Sequence, residues 1–257
     1  MKSCYIVDVG LIGYAEAWEL QKRLVAARKT GAMEDVLLLC EHPHVITLGR
    51  NGKREHLLAS AQVLRQKGVE FHASDRGGDI TYHGPGQLVG YPILNLSAIR
   101  KDVVWYVRML EEVMIRATAE FGISAERVTG KTGIWVCGTS DSNGPSVTEE
   151  KLGAIGVHIS RWVTSHGFAY NVSTDLRYFD LIVPCGITGR KATSLEKILG
   201  RAVTRKEVAQ PVVSNFGQVF GLETRETSRD DLLAQLQTQE LSGEANLPRA
   251  QAVEIAS

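Results

Sequence analysis

The chain has 257 residues, of which 44% are hydrophobic, so it can bury a sizeable core and is long enough for one large domain, which we favour, or two small ones. Lysine plus arginine and aspartate plus glutamate both total 29, which gives zero formal net charge and argues against a protein that neutralises a run of nucleic-acid phosphates. No apolar run has the length of a signal peptide or of a membrane span, so we expect a soluble, cytoplasmic protein with no nucleic-acid or membrane partner.

Helices are predicted in four segments, because apolar residues recur there at three- and four-residue spacing or stand between start and stop signals. These segments are residues 14–29, 61–67, 102–122 and 204–220. Asp102 is a good N-cap and Gly122 a good stop. Thr204 and Glu207 form a capping-box pattern. A last amphipathic piece is expected after Ser228, and the chain beyond about residue 241 has the composition of a frayed tail.

Short β-branched or alternating runs predict strands between these helices. They cover residues 36–40, 45–49, 69–72, 88–96, 133–137, 153–160 and 166–172. The first two are joined by a turn at Pro43 and are interpreted as a buried pair, and the last two as antiparallel neighbours. Residues 138–146 have the composition of an exposed, mobile loop.

The stretch 76–87, with the sequence RGGDITYHGPGQ, is the most informative part of the chain. Its glycines let the backbone approach a ligand closely, and Arg76 and His83 stand beside them as cationic or hydrogen-bonding side chains. This composition predicts a ligand-binding loop, and the structural alternative is a tight hairpin.

Four cysteines lie far apart and form no CxxC pair, which suggests neither a metal knuckle nor a disulfide framework. Cys185 follows proline and precedes glycine, a setting that can expose a thiol, so it is the best candidate nucleophile; a buried, inert cysteine is the alternative. We expect the other three, Cys4, Cys40 and Cys137, to behave as small hydrophobic residues.

A catalytic thiol needs a cation or a base beside it, because a free cysteine is mostly protonated at neutral pH. Lys151, at the start of a predicted strand, and His166 are the two candidates. An exposed strand-end lysine and a structural histidine are the corresponding alternatives. Spacing alone does not decide between them.

Four blocks occur in the order and context of one known family: residues 76–87, residues 151–156, residues 166–172 and the tripeptide at 184–186. Through them the chain resembles the octanoyltransferases of lipoate biosynthesis over roughly residues 5–221. The resemblance implies an α/β fold with a mixed sheet covered by helices, similar to the catalytic domain of biotin and lipoate protein ligases. It places the catalytic domain at residues 1–222 and a partly disordered extension at 223–257.

The same resemblance implies a function. The enzyme would transfer an octanoyl group from octanoyl-acyl carrier protein to a lysine of lipoyl domains, those of 2-oxoacid dehydrogenases and of the glycine cleavage H protein, without a cofactor. Cys185 would carry the acyl thioester, and Lys151 would lower the pKa of its thiol. The implied substrate-binding residues are Arg76, Gly77, Gly78, Asp79, Ile80, Thr81, Tyr82, His83, Ala154, Ile155, Gly156, Gly167, Phe168 and Ala169.

Two other functions fit parts of the sequence. An ATP-dependent lipoate or biotin ligase would share the fold and the glycine loop but would not need a nucleophilic cysteine. A carrier of acyl chains would leave the pairing of Cys185 with Lys151 without a purpose. His42 and His44 flank a proline, with no nearby ligand pattern, and are interpreted as part of a turn and not as a metal site.

Overall fold

The computed structural model describes residues 2–138, 148–183 and 191–245. The helices in these ranges are α1 (Tyr14–Thr30), α2 (Ala61–Gln66), α3 (Val103–Ala119), α4 (Leu195–Leu199), α5 (Arg205–Phe220) and α6 (Arg229–Ala245). The strands are β1 (Lys2–Leu11), β2 (Asp35–Glu41), β3 (Val45–Leu48), β4 (Glu70–Ala73), β5 (Ile80–His83), β6 (Gln87–Ile93), β7 (Glu126–Val128), β8 (Lys131–Gly138), β9 (Thr148–Ser160), β10 (Val163–Asn171), β11 (Lys191–Ala192) and β12 (Leu222–Glu226).

The described strands form two sheets. The larger sheet has the order β12-β1-β2-β6-β10-β9-β8-β7, with β11 paired to β9, and the smaller has the order β4-β3-β5. Parallel pairs such as β1–β2 and antiparallel pairs such as β6–β10 occur together. The predicted mixed sheet covered by helices is confirmed.

Helices cover both faces of the larger sheet. On one face, apolar residues of α3 and α5, such as Leu110 and Phe216, join the sheet in one buried cluster. On the other face, α1 and α6 contribute Leu24 and Leu232 to a second cluster. A third, smaller cluster fills the space beside the small sheet around Tyr82. The layered arrangement leaves room for a site between the two sheets.

The N-terminal cap signals read from the sequence are confirmed. The Asp102 side chain accepts a hydrogen bond from the Trp105 backbone, and Thr204 and Glu207 form the reciprocal bonds of a capping box. These bonds satisfy backbone N–H groups that have no partner within the helix. The predicted antiparallel pairing of β9 with β10 is confirmed as well.

The predicted pairing of the strands on either side of Pro43 is wrong. β2 pairs with β1 and β6 in the larger sheet, whereas β3 pairs with β4 and β5 in the smaller one. The reason is the buried His42, whose ring bonds the Ile12 carbonyl and the Tyr91 hydroxyl at 2.7 and 2.8 Å. These bonds fix the chain where it passes from one sheet to the other.

The chain after residue 222 packs onto the domain as far as it is described. β12 is a parallel neighbour of β1, and Leu232 and Leu236 of α6 are fully buried. The residues expected to form the frayed tail lie, from 246 onward, outside the described residues. The predicted mobile loop lies outside them too, apart from Gly138, the last residue of β8.

Candidate active site

A cavity of about 590 Å³ lies between the glycine loop and strands β6, β9 and β10. This volume is typical of small-molecule sites. Nearly all of the predicted site residues line it, together with the unpredicted Tyr14, Gln87, Trp135 and Asn171. The predicted residues among them are Arg76, Gly77, Gly78, Asp79, Ile80, Thr81, His83, Lys151, Ala154, Ile155, Gly156, Gly167, Phe168 and Ala169.

Tyr82 is placed differently from its neighbours in the glycine loop. Strand residues alternate in direction, so Tyr82 points away from the cavity that His83 lines. Its ring stacks on Tyr178 with 5.1 Å between centroids, and its hydroxyl bonds His44 Nδ1 at 2.7 Å. The side chain therefore holds the small sheet to the segment around Tyr178.

The glycines of the site allow backbone to meet backbone. The Gly77 N–H donates to the Val157 carbonyl at 2.8 Å, and a Cβ on Gly156 would lie 2.8 Å from the Gly77 oxygen. Gly78 has φ +86°, in the left-handed region that favours glycine. Because β5 and β6 belong to different sheets, the tight-hairpin alternative for this loop is wrong.

Arg76 anchors the loop to the small sheet. Its guanidinium is buried and donates to the Thr47 carbonyl at 2.7 Å and to the Gly77 carbonyl at 3.0 Å. A buried cation disfavours a second positive charge nearby. Arg76 thereby contributes to the lowered pKa values of His83 and His166, although burial is the larger cause for both.

His83 is held as a neutral ring. Its Nδ1 lies 2.7 Å from Gln87 Oε1, an atom that only accepts, so Nδ1 carries the hydrogen. Burial lowers the His83 pKa to about 3. Gln87 donates to Asn171 Oδ1 at 2.9 Å, and Asn171 donates to the Thr193 carbonyl at 3.0 Å. This chain of amides orients the imidazole and leaves Nε2 free of a proton.

Lys151 lies in the interior of β9, not at the start of the strand as predicted. Its Nζ is 4.7 Å from the centroid of the Trp135 ring, a distance at which a cation is attracted to the aromatic face. Lys191 and Ala192 of β11 run parallel to Glu150 and Lys151. The ammonium therefore lies on the cavity wall, next to the point where the chain enters β11.

His166 has an unusual backbone for a residue inside a strand, with φ +54°. Its backbone N–H donates to Gln21 Oε1 at 2.7 Å, and its Nε2 donates to Asp75 Oδ1 at 2.7 Å. Burial lowers the pKa of this histidine despite the neighbouring carboxylate. His166 lines the cavity as a second hydrogen-bonded group.

Cys185, the predicted nucleophile, lies outside the described residues, as do Pro184 and Gly186. The expectation for the other cysteines is confirmed for Cys4 and Cys40, which are fully buried with raised thiol pKa values. It is wrong for Cys137, which is exposed. A hydrogen bond to Glu126 raises the Cys137 pKa to about 11, so this thiol is a weak nucleophile at neutral pH.

Within the described ranges, no group of three or more histidine, cysteine or carboxylate residues is arranged to hold a metal ion. No helix in those ranges is long and apolar enough to cross a membrane.

Comparisons with known proteins agree with this architecture. The model of the lipoyl protein ligase A/B catalytic domain family matches residues 13–217. The octanoyltransferase of Acidobacterium capsulatum is 51% identical over 243 residues, covering 91% of this chain and 97% of the relative. That of Solibacter usitatus is 50% identical over 223 residues, covering 87% and 96%.

Among solved structures, the bi-partite lipoate protein ligase of Thermoplasma acidophilum superposes with a TM-score of 0.69. The match covers 93% of this chain and 92% of that one at 13% identity, so it supports the fold alone. The identities near 50% over most of the chain carry the assignment of family. The chain therefore belongs to the octanoyltransferases of the lipoyl protein ligase A/B catalytic domain family, and it is an acyltransferase.

Proposed function

We propose that this protein moves an octanoyl group from octanoyl-acyl carrier protein to a lysine of lipoyl domains, in 2-oxoacid dehydrogenases and the glycine cleavage H protein, in the cytoplasm. This transfer is the first step of endogenous protein lipoylation. The single observation that carries the proposal is the placement of Lys151 on the wall of a largely apolar cavity, next to the strand that follows the Cys185 segment.

The reaction has two steps. In the first, the Cys185 thiolate attacks the thioester carbonyl of the donor, a new carbon–sulfur bond forms, and the carrier thiol leaves with a proton. In the second, the acceptor amine attacks the acyl-enzyme, forming an amide and releasing the Cys185 thiolate. Exchange between thioesters is nearly balanced and aminolysis runs downhill, so the reaction needs no ATP.

Lys151 has two roles in this mechanism. Its positive charge favours the thiolate over the thiol and so lowers the Cys185 pKa. It also gives a proton to the departing carrier thiolate and takes one from the attacking amine. The Trp135 ring under the ammonium attracts the side chain while it is charged, before the first step and after the second.

The cavity wall suits a saturated acyl chain. Its apolar side chains include Val89, Ile155, Val157 and Phe168. Burial contributes about 0.8 kcal/mol per methylene, so an octanoyl chain gains about 5 kcal/mol here. The glycine backbones on the opposite wall leave the space open.

An ATP-dependent ligase is the function that the test must separate from this one. We expect purified enzyme to octanoylate a lipoyl domain from octanoyl-acyl carrier protein in buffer cleared of ATP by apyrase. Cys185→Ser should abolish the transfer, because the hydroxyl is a much weaker nucleophile without a strong base. Cys137→Ser, which changes the exposed thiol, is the matched control and should keep wild-type turnover. Transfer that requires ATP, or that survives Cys185→Ser, would contradict the proposal.

A further inference from the structure

Strand β9 contains a β-bulge beside Lys151. Ile134 of β8 pairs with Gly153, but the next residue, Trp135, pairs with Lys151, so Leu152 has no partner on β8. Such an extra residue reverses the alternation of side chains beyond it. The bulge is therefore a candidate for the feature that aims Lys151.

Burial on the two faces of β9 agrees with this reversal. Leu152 is fully buried in the cluster that β9 forms with α3. Gly153 faces the same way, since a Cβ there would lie 2.8 Å from Met114 Sδ. Lys151 and Ala154 both line the cavity. With regular alternation from Ala154, Lys151 would point into the core against α3.

Gly133 supports the bulge from the neighbouring strand. It has φ +107°, and a Cβ on it would collide with the Gly153 carbonyl oxygen, so the two backbones meet without side chains between them. Its N–H donates to Glu111 Oε1 at 3.0 Å. Glu111 lies on α3, and its side chain is 1% exposed.

Glu111 is held rigidly. Its Oε2 accepts hydrogen bonds from Arg108 at 2.8 Å and from Arg127 at 3.1 Å. A buried carboxylate costs several kcal/mol to desolvate, so an ion pair of this kind is weak evidence for a role in stability. The alternative to a role in stability is that the Glu111 carboxylate is a fixed hydrogen-bond acceptor that sets the geometry of β8 at Gly133.

We propose that Glu111 is a positioning residue for the acyl transfer: its carboxylate fixes Gly133 against Gly153, and the resulting bulge turns Lys151 toward the cavity. This inference rests on the proposed role of Lys151. The test therefore measures the position of the Lys151 side chain by a method that does not depend on its role in catalysis.

The test compares Glu111→Leu, Glu111→Gln and Glu112→Leu. Gln keeps an acceptor for the Gly133 N–H, whereas Leu removes it. Glu112, the next residue on α3, is the control: it pairs with Arg116 of the same helix and with Arg127 of β7, an arginine that it shares with Glu111, and it makes no bond to Gly133. The first readout is the nuclear Overhauser contact between the Lys151 side chain and the Trp135 ring in selectively labelled protein. The second is the pH dependence of Cys185 alkylation.

We expect Glu111→Leu to lose the Lys151–Trp135 contact and to move the alkylation midpoint up by about one pH unit, which is tenfold in rate at neutral pH. Glu111→Gln and Glu112→Leu should keep both. A retained contact in Glu111→Leu, or its loss in Glu112→Leu, would overturn the inference. A lost contact with an unchanged alkylation curve would support the positioning role and remove the proposed role of Lys151.

Gly153→Ala provides a second variant in case Glu111→Leu does not fold. Its new Cβ pushes against the flexible Met114 side chain and Ile134, so it disturbs the bulge and leaves Glu111 intact. We expect the Lys151–Trp135 contact to weaken and to recover when Met114→Ala makes room. An unchanged Lys151–Trp135 contact in a Gly153→Ala variant whose Leu152 and Gly133 amide chemical shifts have moved would show that the bulge does not aim the lysine.

Discussion

Lys151 and His166 lie at opposite ends of one cavity wall. His166 pairs with Val157, and Lys151 precedes Val157 by six residues on the same strand, a separation of roughly 15–20 Å at the rise of a β-strand. Only one of the two can lie beside a given thiol. Because β11 returns next to Lys151, we expect the lysine to act on Cys185.

The first prediction concerns the thiol. In a Cys137→Ser background, which removes the exposed competing thiol, Lys151→Ala should shift the pH midpoint of Cys185 alkylation upward by at least one unit, because the thiolate loses its neighbouring cation. His166→Asn should leave the midpoint unchanged. The opposite pattern in the two variants would transfer the role to His166.

The second prediction concerns Gly78. A β-branched residue at its φ of +86° is strained, so Gly78→Val should lower the free energy of unfolding by about 2 kcal/mol, measured by urea denaturation. It should also reduce acyl-enzyme formation, because the side chain crowds the cavity wall. Gly68, which has φ +63° and open space around it, lies outside the cavity lining. Gly68→Val should therefore lose similar stability and keep its acylation rate; equal activity losses in both variants would remove Gly78 from the site.

The third prediction concerns acid stability. The folded His83 pKa of about 3 lies below the unfolded value of about 6.5, so the unfolded state binds the proton first and stability falls as pH drops below 6.5. Between pH 7.5 and 5 the protonation of His83 in the unfolded state lowers the free energy of unfolding by about 2 kcal/mol. The amide of His83→Asn can still donate to Gln87. Over this pH range we expect this variant to lose about 2 kcal/mol less free energy of unfolding than the wild type, measured by urea denaturation. Parallel losses in both proteins would mean that His83 is charged in the folded state.

The fourth prediction concerns the acyl chain. Ala154 lines the cavity, and a phenyl ring there occupies space that a long chain needs. Ala154→Phe should slow acylation by octanoyl-acyl carrier protein at least tenfold, and should slow acylation by the butyryl form much less. The rate of adduct formation is measured by intact mass. Equal slowing with the two donors would mean that the acyl chain does not lie along Ala154.

Local signals in the sequence predicted much of the fold. The caps at Asp102 and Thr204 are short-range hydrogen bonds that depend on residue type and spacing alone, and both were predicted correctly. The pairing across Pro43 was predicted wrongly, because the buried bonds of His42 to Ile12 and Tyr91 join residues distant in sequence. No local pattern encodes such contacts.

The same distinction between local signals and long-range contacts applies to the site. The glycine loop was visible as composition, but the amide chain from His83 through Gln87 and Asn171 was not, because glutamine and asparagine in strands give no periodic signal. The bulge at Leu152 was also missed. It is a mismatch in length between two strands, and only their pairing reveals it.

The most direct test of the mechanism is the location of the acyl group. After incubation with octanoyl-acyl carrier protein alone, we predict one octanoyl adduct by intact mass, mapped by peptide fragmentation to Cys185 and cleaved by hydroxylamine. Adding a lipoyl domain without ATP should discharge it to the acceptor lysine. An adduct on Cys137, or transfer at wild-type rate by an enzyme that forms no adduct, would contradict the relay.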